Sequence, residues 1–195
     1  MPSFILASQS PRRKTLLEWA EIPFEIIVSD IDESYPASLA IEEVPAFIAK
    51  NKALAVKEMI LSTKPALANA CIIAADTVVV LDQKIIGKPS NKEQAMESLM
   101  ALSGQTHKVI TGVVLLYQDR EICFCETTLV EFHALTHEQI EFYVDKYKPY
   151  DKAGGYAIQE WIGVVGIKKI TGNFYNVMGL PVSKLVQKIK QLNLS

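Results

Sequence analysis

Apolar and polar positions along this chain follow two periods, and each change of period marks an element. A short apolar run at 4–7 has the length of a strand. It is followed by the polar turn Ser8-Gln-Ser10 and by 11–20, which reads as a helix with Pro11 at its first position and Ser10 as N-cap. Residues 24–28 read as a second strand. Between 41 and 61, apolar side chains at 44, 47, 48, 55 and 59 come close to helical spacing, and Pro45 is tolerated in the first turn. Residues 71–81 are the most apolar stretch and read as a buried central strand. After a turn at 82–84, Ile85 and Ile86 pair back, and Ser90 with Glu93 forms a capping box for a helix to about residue 102, ended by Gly104. Two β-rich runs, 107–117 and 121–134, predict an antiparallel hairpin, and Thr136 with Gln139 makes a second capping box for a helix to about residue 147. The last segments read as a strand at 163–170, a loop at 171–180 and an amphipathic helix from Pro181 through Val182, Leu185, Val186 and Ile189. With βα units mixed among hairpins and no repeat or clear linker, the pattern predicts one domain over residues 1–195, α/β or α+β around a mixed sheet.

Composition narrows the function classes. The 195 residues are 49% hydrophobic and 22% charged, which is ordinary for a globular protein. A net charge of −2 and the lack of an aromatic-basic stacking pattern argue against a nucleic-acid binder. A polyphosphate ligand would therefore need concentrated local cations or a metal. No apolar run approaches the roughly 20 residues that span a bilayer, and the first residues show no signal-type apolar segment, so the expectation is a cytoplasmic protein with no membrane partner. Cys71, Cys123 and Cys125 fit neither a zinc knuckle nor a redox pair and are expected as buried, reduced thiols. His107, His133 and His137 are scattered without metal-ligand spacing, so a zinc site is not expected.

Several stretches carry candidate chemistry. Arg12, Arg13 and Lys14 crowd the first turn of a helix, the end where the dipole disfavours cations. An anion such as phosphate would complete that turn; a solvated basic turn is the plainer alternative. Asp30, Asp32 and Glu33 form an acidic loop, either solvated or able to supply oxygen ligands to Mg²⁺ or Mn²⁺. Lys50, Lys52 and Lys57 punctuate the 41–61 helix, each of them more ordinary as a surface lysine than as a ligand-reaching one. Asp76 lies in the middle of the most apolar strand, where an ionised carboxylate is costly unless it is paired, hydrogen-bonded or at a metal. Gly87-Lys88-Pro89 is a constrained loop that presents a lysine, and Gly154-Gly155 permits close backbone approach or positive φ beside polar groups able to read a base. Neither a Walker loop nor a G-x-G-x-x-G fingerprint is present, which argues against kinase, P-loop and dinucleotide sites.

Taken in order, Ser8-Gln-Ser-Pro-Arg-Arg13, Ala75-Asp-Thr-Val-Val79, Gly87-Lys-Pro89, Asp151-Lys-Ala-Gly-Gly-Tyr-Ala-Ile-Gln159 and Asn176-Val-Met-Gly-Leu-Pro181 resemble the Maf family of nucleotide pyrophosphatases, over about residues 4–190. The resemblance implies an elongated mixed sheet flanked by helices, similar to the inosine triphosphatases, with two lobes and a central cleft. It also implies hydrolysis of a nucleoside triphosphate between its α and β phosphates with a divalent cation, Mg²⁺ or Mn²⁺. A homodimer is the family expectation. By this resemblance Asp76 matches the proton acceptor, and Arg12, Thr77 and Gln159 match positions tied to substrate choice. The residues themselves are compatible: Asp76 can take a proton from water or hold a metal, with Glu33 as a second metal contact. Ser8, Ser10, Arg13, Lys52 and Lys88 can neutralise phosphate charge, with Lys52 and Lys88 in the catalytic set. Gln159 suits the N3–H and O4 of uracil or thymine, and the sequence around it resembles the dTTP/UTP branch. The alternatives are a 7-methyl-GTP pyrophosphatase and a nucleotide-binding regulator of septum formation with little turnover.

Overall fold

A computed structural model describes residues 3–192. Its strands are β1 (Phe4–Leu6), β2 (Phe24–Ile26), β3 (Cys71–Leu81), β4 (Lys84–Ile86), β5 (Thr106–Tyr117), β6 (Arg120–Phe132) and β7 (Ile167–Thr171). Its helices are α1 (Pro11–Trp19), α2 (Val44–Thr63), α3 (Lys92–Leu102), α4 (His137–Tyr147), α5 (Trp161–Gly166), α6 (Phe174–Met178) and α7 (Val182–Gln191). The strands form one mixed sheet in the order β2-β1-β3-β5-β6-β7, with β4 paired to β3. β1 runs parallel to both β2 and β3, while β3–β4 and β6–β7 are antiparallel. The expected mixed α/β fold is therefore observed.

Two compact units divide the chain. The first holds the residues up to Asp76, Thr111–Glu126 and those from Gly179 on. Its core sets Ile72 and Ala74 of β3 and Val114 and Leu116 of β5 with Ala49, Ala53, Val56 and Ile60 of α2. The helix side of that core is an i, i+4, i+7, i+11 stripe, and the strand side alternates with period two. The helix can lie this close because of Gly112. A Cβ at that position would come within 2.2 Å of the Ala46 backbone nitrogen, in the first turn of α2. The second unit holds Thr77–Ile110 and Thr127–Met178. Its core gathers Leu99 and Leu102 of α3, Ile140, Tyr143 and Val144 of α4, and Phe132 and Tyr156, and α4 starts from the predicted capping box of Thr136 and Gln139.

Four expectations change. The N-cap of α3 is Asn91, not Ser90: Asn91 Oδ1 accepts from Gln94 N at 2.9 Å, and the Ser90 N–H donates to the Gln94 side chain at 2.8 Å. Both residues head a cap-like pattern, and the frame one residue later satisfies two donors. Residues 163–166 are helical rather than extended. Gly163 N and Val164 N both donate to Glu160 O, at 2.9 and 3.3 Å, and Val164 is left 81% exposed, so β propensity at Val164 and Val165 is overridden by this local turn. The 171–180 loop contains α6, five residues long. Cys71 is buried, but Cys123 is exposed and Cys125 half-buried, because the first half of β6 is mostly uncovered. Among the described residues no helix is long and apolar enough to cross a membrane.

Candidate active site

In the first unit, β1 delivers the hydroxyl turn to α1 as its residues dictate. Ser10 caps the helix, its Oγ accepting from Arg13 N at 3.5 Å, and Pro11 opens the first turn. Ser10 N donates to Ser8 Oγ at 3.2 Å. Arg13 folds inward and is buried. Its Nη1 donates to Ser8 Oγ at 3.0 Å and its Nε to Gly179 O at 2.8 Å. Burial lowers the guanidinium pKa from its ordinary value, Asp76 and Glu33 raise it, and Arg12 lowers it. Ser8 and Arg13 are thus a preformed polar pair at a helix N-terminus, the arrangement that suits a phosphate oxygen. Arg12 is half-buried beside it.

Asp76 follows from the strand period. Ile72, Ala74 and Asp76 point to the same face of β3, the first two into the α2 core, and the carboxylate comes one step later, 8% exposed. On α2, half-buried Lys52 flanks the inward stripe of Ala49, Ala53 and Val56. Its Nζ lies 2.7 Å from Asp76 Oδ1 and 2.7 Å from Glu33 Oε1. Its neighbours on the helix do other work: Lys50 pairs with Glu121 at 2.9 Å, and Lys57 donates to Gln118 O at 2.9 Å. The acidic loop divides its labour as well. Asp32 accepts from Ser34 N at 2.9 Å and from Ser34 Oγ at 2.7 Å, closing a local turn, and Glu33 turns to Lys52. The structure therefore brings together Ser8, Ser10 and Arg13 in one cluster and Glu33, Lys52 and Asp76 in another.

Thr77, Lys88 and Gln159 belong to the second unit. Thr77 is half-buried on β3, and Lys88 and Gln159 are exposed. Two motifs that read separately in the sequence meet here: Gly154 N donates to Gly87 O at 3.0 Å, tying the glycine pair to the loop of Lys88. Gly154 and Gly155 have φ of 70° and 71°, and a Cβ on Gly154 would come within 3.0 Å of Val79, so both the turn and the space demand glycine. Sequence reasoning missed the buried polar group behind this turn, made of Lys152, Glu160 and Tyr143. Lys152 Nζ lies 2.8 Å from Asp151 Oδ1 and 3.5 Å from Glu160 Oε1, while the Tyr143 hydroxyl donates to Glu160 Oε2. Its only trace in the sequence was a lysine and a glutamate flanking the glycine turn.

A family model for Maf-like proteins matches residues 3–192. The chain belongs to that family. It is 50% identical to the dTTP/UTP pyrophosphatase of Parabacteroides distasonis over 95% of this chain and 94% of that protein. It is 47% identical to the dTTP/UTP pyrophosphatase of Bacteroides thetaiotaomicron over 96% of this chain and 95% of that protein. Among solved structures, the Staphylococcus aureus Ham1 protein is similar with a TM-score of 0.42 and 14% identity, over 67% of this chain and 71% of that chain. In this Maf-like chain Asp76 lies on β3 and the serine-arginine turn opens α1.

Proposed function

We propose that this Maf-like protein is a nucleoside triphosphate pyrophosphatase that hydrolyses dTTP and UTP between the α and β phosphates, giving dTMP or UMP and pyrophosphate. The observation that carries the reading is Asp76, a carboxylate set in an apolar strand and held 2.7 Å from Lys52. A buried ion pair of this kind costs desolvation, and replacing it with apolar residues is often neutral or stabilising, so its presence points to chemistry. The relatives, named dTTP/UTP pyrophosphatases, support the substrate.

In this reading Asp76 accepts the proton of the water whose oxygen bonds to the α phosphorus as the bridging P–O bond breaks. Lys52 balances the charge of Asp76 and Glu33 before substrate arrives. Ser8, Ser10, Arg12 and Arg13 bind phosphate oxygens, Lys88 adds a cation for the charge that develops on the leaving pyrophosphate, and Thr77 and Gln159 select the substrate. A divalent cation suits the donors present: Glu33 and Asp76 already converge on one ammonium, and Mg²⁺ or Mn²⁺ needs only one or two carboxylates beside phosphate oxygens and water. Glu33 and Asp76 would hold it, and bound there it would neutralise phosphate charge.

The test is a nucleotide panel with Mg²⁺ or Mn²⁺ in which pyrophosphate and orthophosphate are measured separately. Pyrophosphate from dTTP and UTP, lost in Asp76→Asn, is the expected result. Strong turnover of 7-methyl-GTP would overturn the substrate, and tight nucleotide binding without turnover would overturn the enzyme.

A further inference from the structure

Gln159 sits in a turn whose construction assigns a role to a residue outside every motif so far discussed. The turn runs from Ala157 to Glu160 and is closed by Glu160 N donating to Ala157 O at 3.1 Å, which leaves Ile158 and Gln159 at its tip. Both ends of the turn are bound to the same atom. The Tyr143 hydroxyl accepts from Ala157 N at 3.1 Å and donates to the Glu160 carboxylate. Tyr143 is itself fixed: it is fully buried on the inward face of α4 with Ile140 and Val144, and its ring stacks on Tyr147 with centroids 5.0 Å apart. Glu160 is held on its other oxygen by Lys152, and Glu160 O also accepts from Gly163 N and Val164 N of α5.

We propose that Tyr143 is the positioning residue for the base-reading amide, clamping the turn so that Gln159 is presented in one place. The proposal rests on the reading of Gln159 as the substrate-selecting residue. A long neutral side chain on an unclamped turn would lose ordering entropy on each binding event; a clamp removes most of that loss beforehand. A phenol suits the task because it can receive an amide and donate to a carboxylate at once, from a rigid ring anchored in a core. A merely structural tyrosine would change stability alone. A clamp changes selectivity through Gln159.

Tyr143→Phe, Gln159→Ala and the double variant separate these cases, with the ratio of kcat/KM for dTTP to that for dGTP as the readout. Tyr143→Phe should lower that ratio about tenfold, more through KM than kcat, as expected for losing a hydrogen bond to a charged group. In the Gln159→Ala background it should lower the ratio no further. Faster hydrogen exchange at the Ala157 amide should accompany the change. A ratio lowered by Gln159→Ala but untouched by Tyr143→Phe, or lowered additively by both, overturns the clamp alone. A ratio untouched by Gln159→Ala overturns the base-reading assignment and the clamp with it. If Tyr143→Phe fails to fold, Glu160→Ala breaks the same bridge from its more exposed end and is judged by the same ratio.

Discussion

The cluster around Asp76 and the turn that carries Gln159 solve opposite problems. Asp76 and Lys52 lie on long regular elements, β3 and α2, and their charges meet at 2.7 Å because two packed elements place them there. Gln159 lies on a turn, where nothing regular fixes it; behind the turn lie the buried Tyr143 hydroxyl and Lys152 and the half-buried Glu160. In the proposed reading, the groups that handle charge in the reaction are held by the scaffold. The group that would read the base is held by a local polar lock, a position that can change without disturbing the sheet.

The largest effect that would break this comparison is on turnover. Asp76→Asn should lower kcat by about 10²–10⁴-fold on every nucleotide alike. Gln159→Glu should weaken dTTP and UTP selectively and leave the ranking of other nucleotides standing. If Asp76→Asn turns over normally, Asp76 leaves the mechanism; if Gln159→Glu costs all nucleotides equally, the turn does not read the base.

A next prediction tests whether the scaffold positions the charge pair. Gly112→Ala would set a methyl within 2.2 Å of the Ala46 nitrogen, so the first turn of α2 must shift. We expect a loss of about 3 kcal/mol in urea unfolding, with reduced activity because α2 carries Lys52. A small destabilisation with full activity would mean that Lys52 does not depend on this contact.

The second unit has its own titratable weakness. His107 is buried between Phe132 and Tyr156, and its Nε2 lies 2.7 Å from the Tyr156 hydroxyl. Burial pushes its pKa down to about 4 from an ordinary 6.5. Well above pH 6.5 the ring is neutral whether the chain is folded or not. As pH falls from 6.5 to 4 the unfolded chain takes up a proton that the folded one refuses, so stability present at neutral pH is lost across that window, by about 3 kcal/mol at pH 4. The urea midpoint should drop between pH 7 and pH 4, and should drop less in His107→Gln. Equal drops in the two proteins would place the acid sensitivity elsewhere.

Much of this was legible in the residues. The serine turn, Pro11 and the Asp76 strand appear where local chemistry puts them, because a cap, a proline and an apolar run act over a few positions. Their partners were not legible. That Lys52 rather than Lys50 or Lys57 meets Asp76 depends on which side of α2 faces the sheet, and how closely the helix approaches depends on Gly112, far along the chain. Tyr143 gave no sign at all, since a tyrosine at helical spacing among Ile140 and Val144 reads as core.

The start of α3 shows the same limit at its smallest scale. Ser90 and Asn91 each stand three residues before a Glu or Gln, so pattern alone does not decide between them. Asn91 Oδ1 takes the Gln94 amide, while Ser90 contributes its own N–H to the Gln94 side chain and needs no hydroxyl to do so. Asn91→Ala should therefore cost about 1 kcal/mol in urea unfolding and Ser90→Ala only about a few tenths. The reverse order would return the cap to Ser90 and shift the first turn of α3 by one residue.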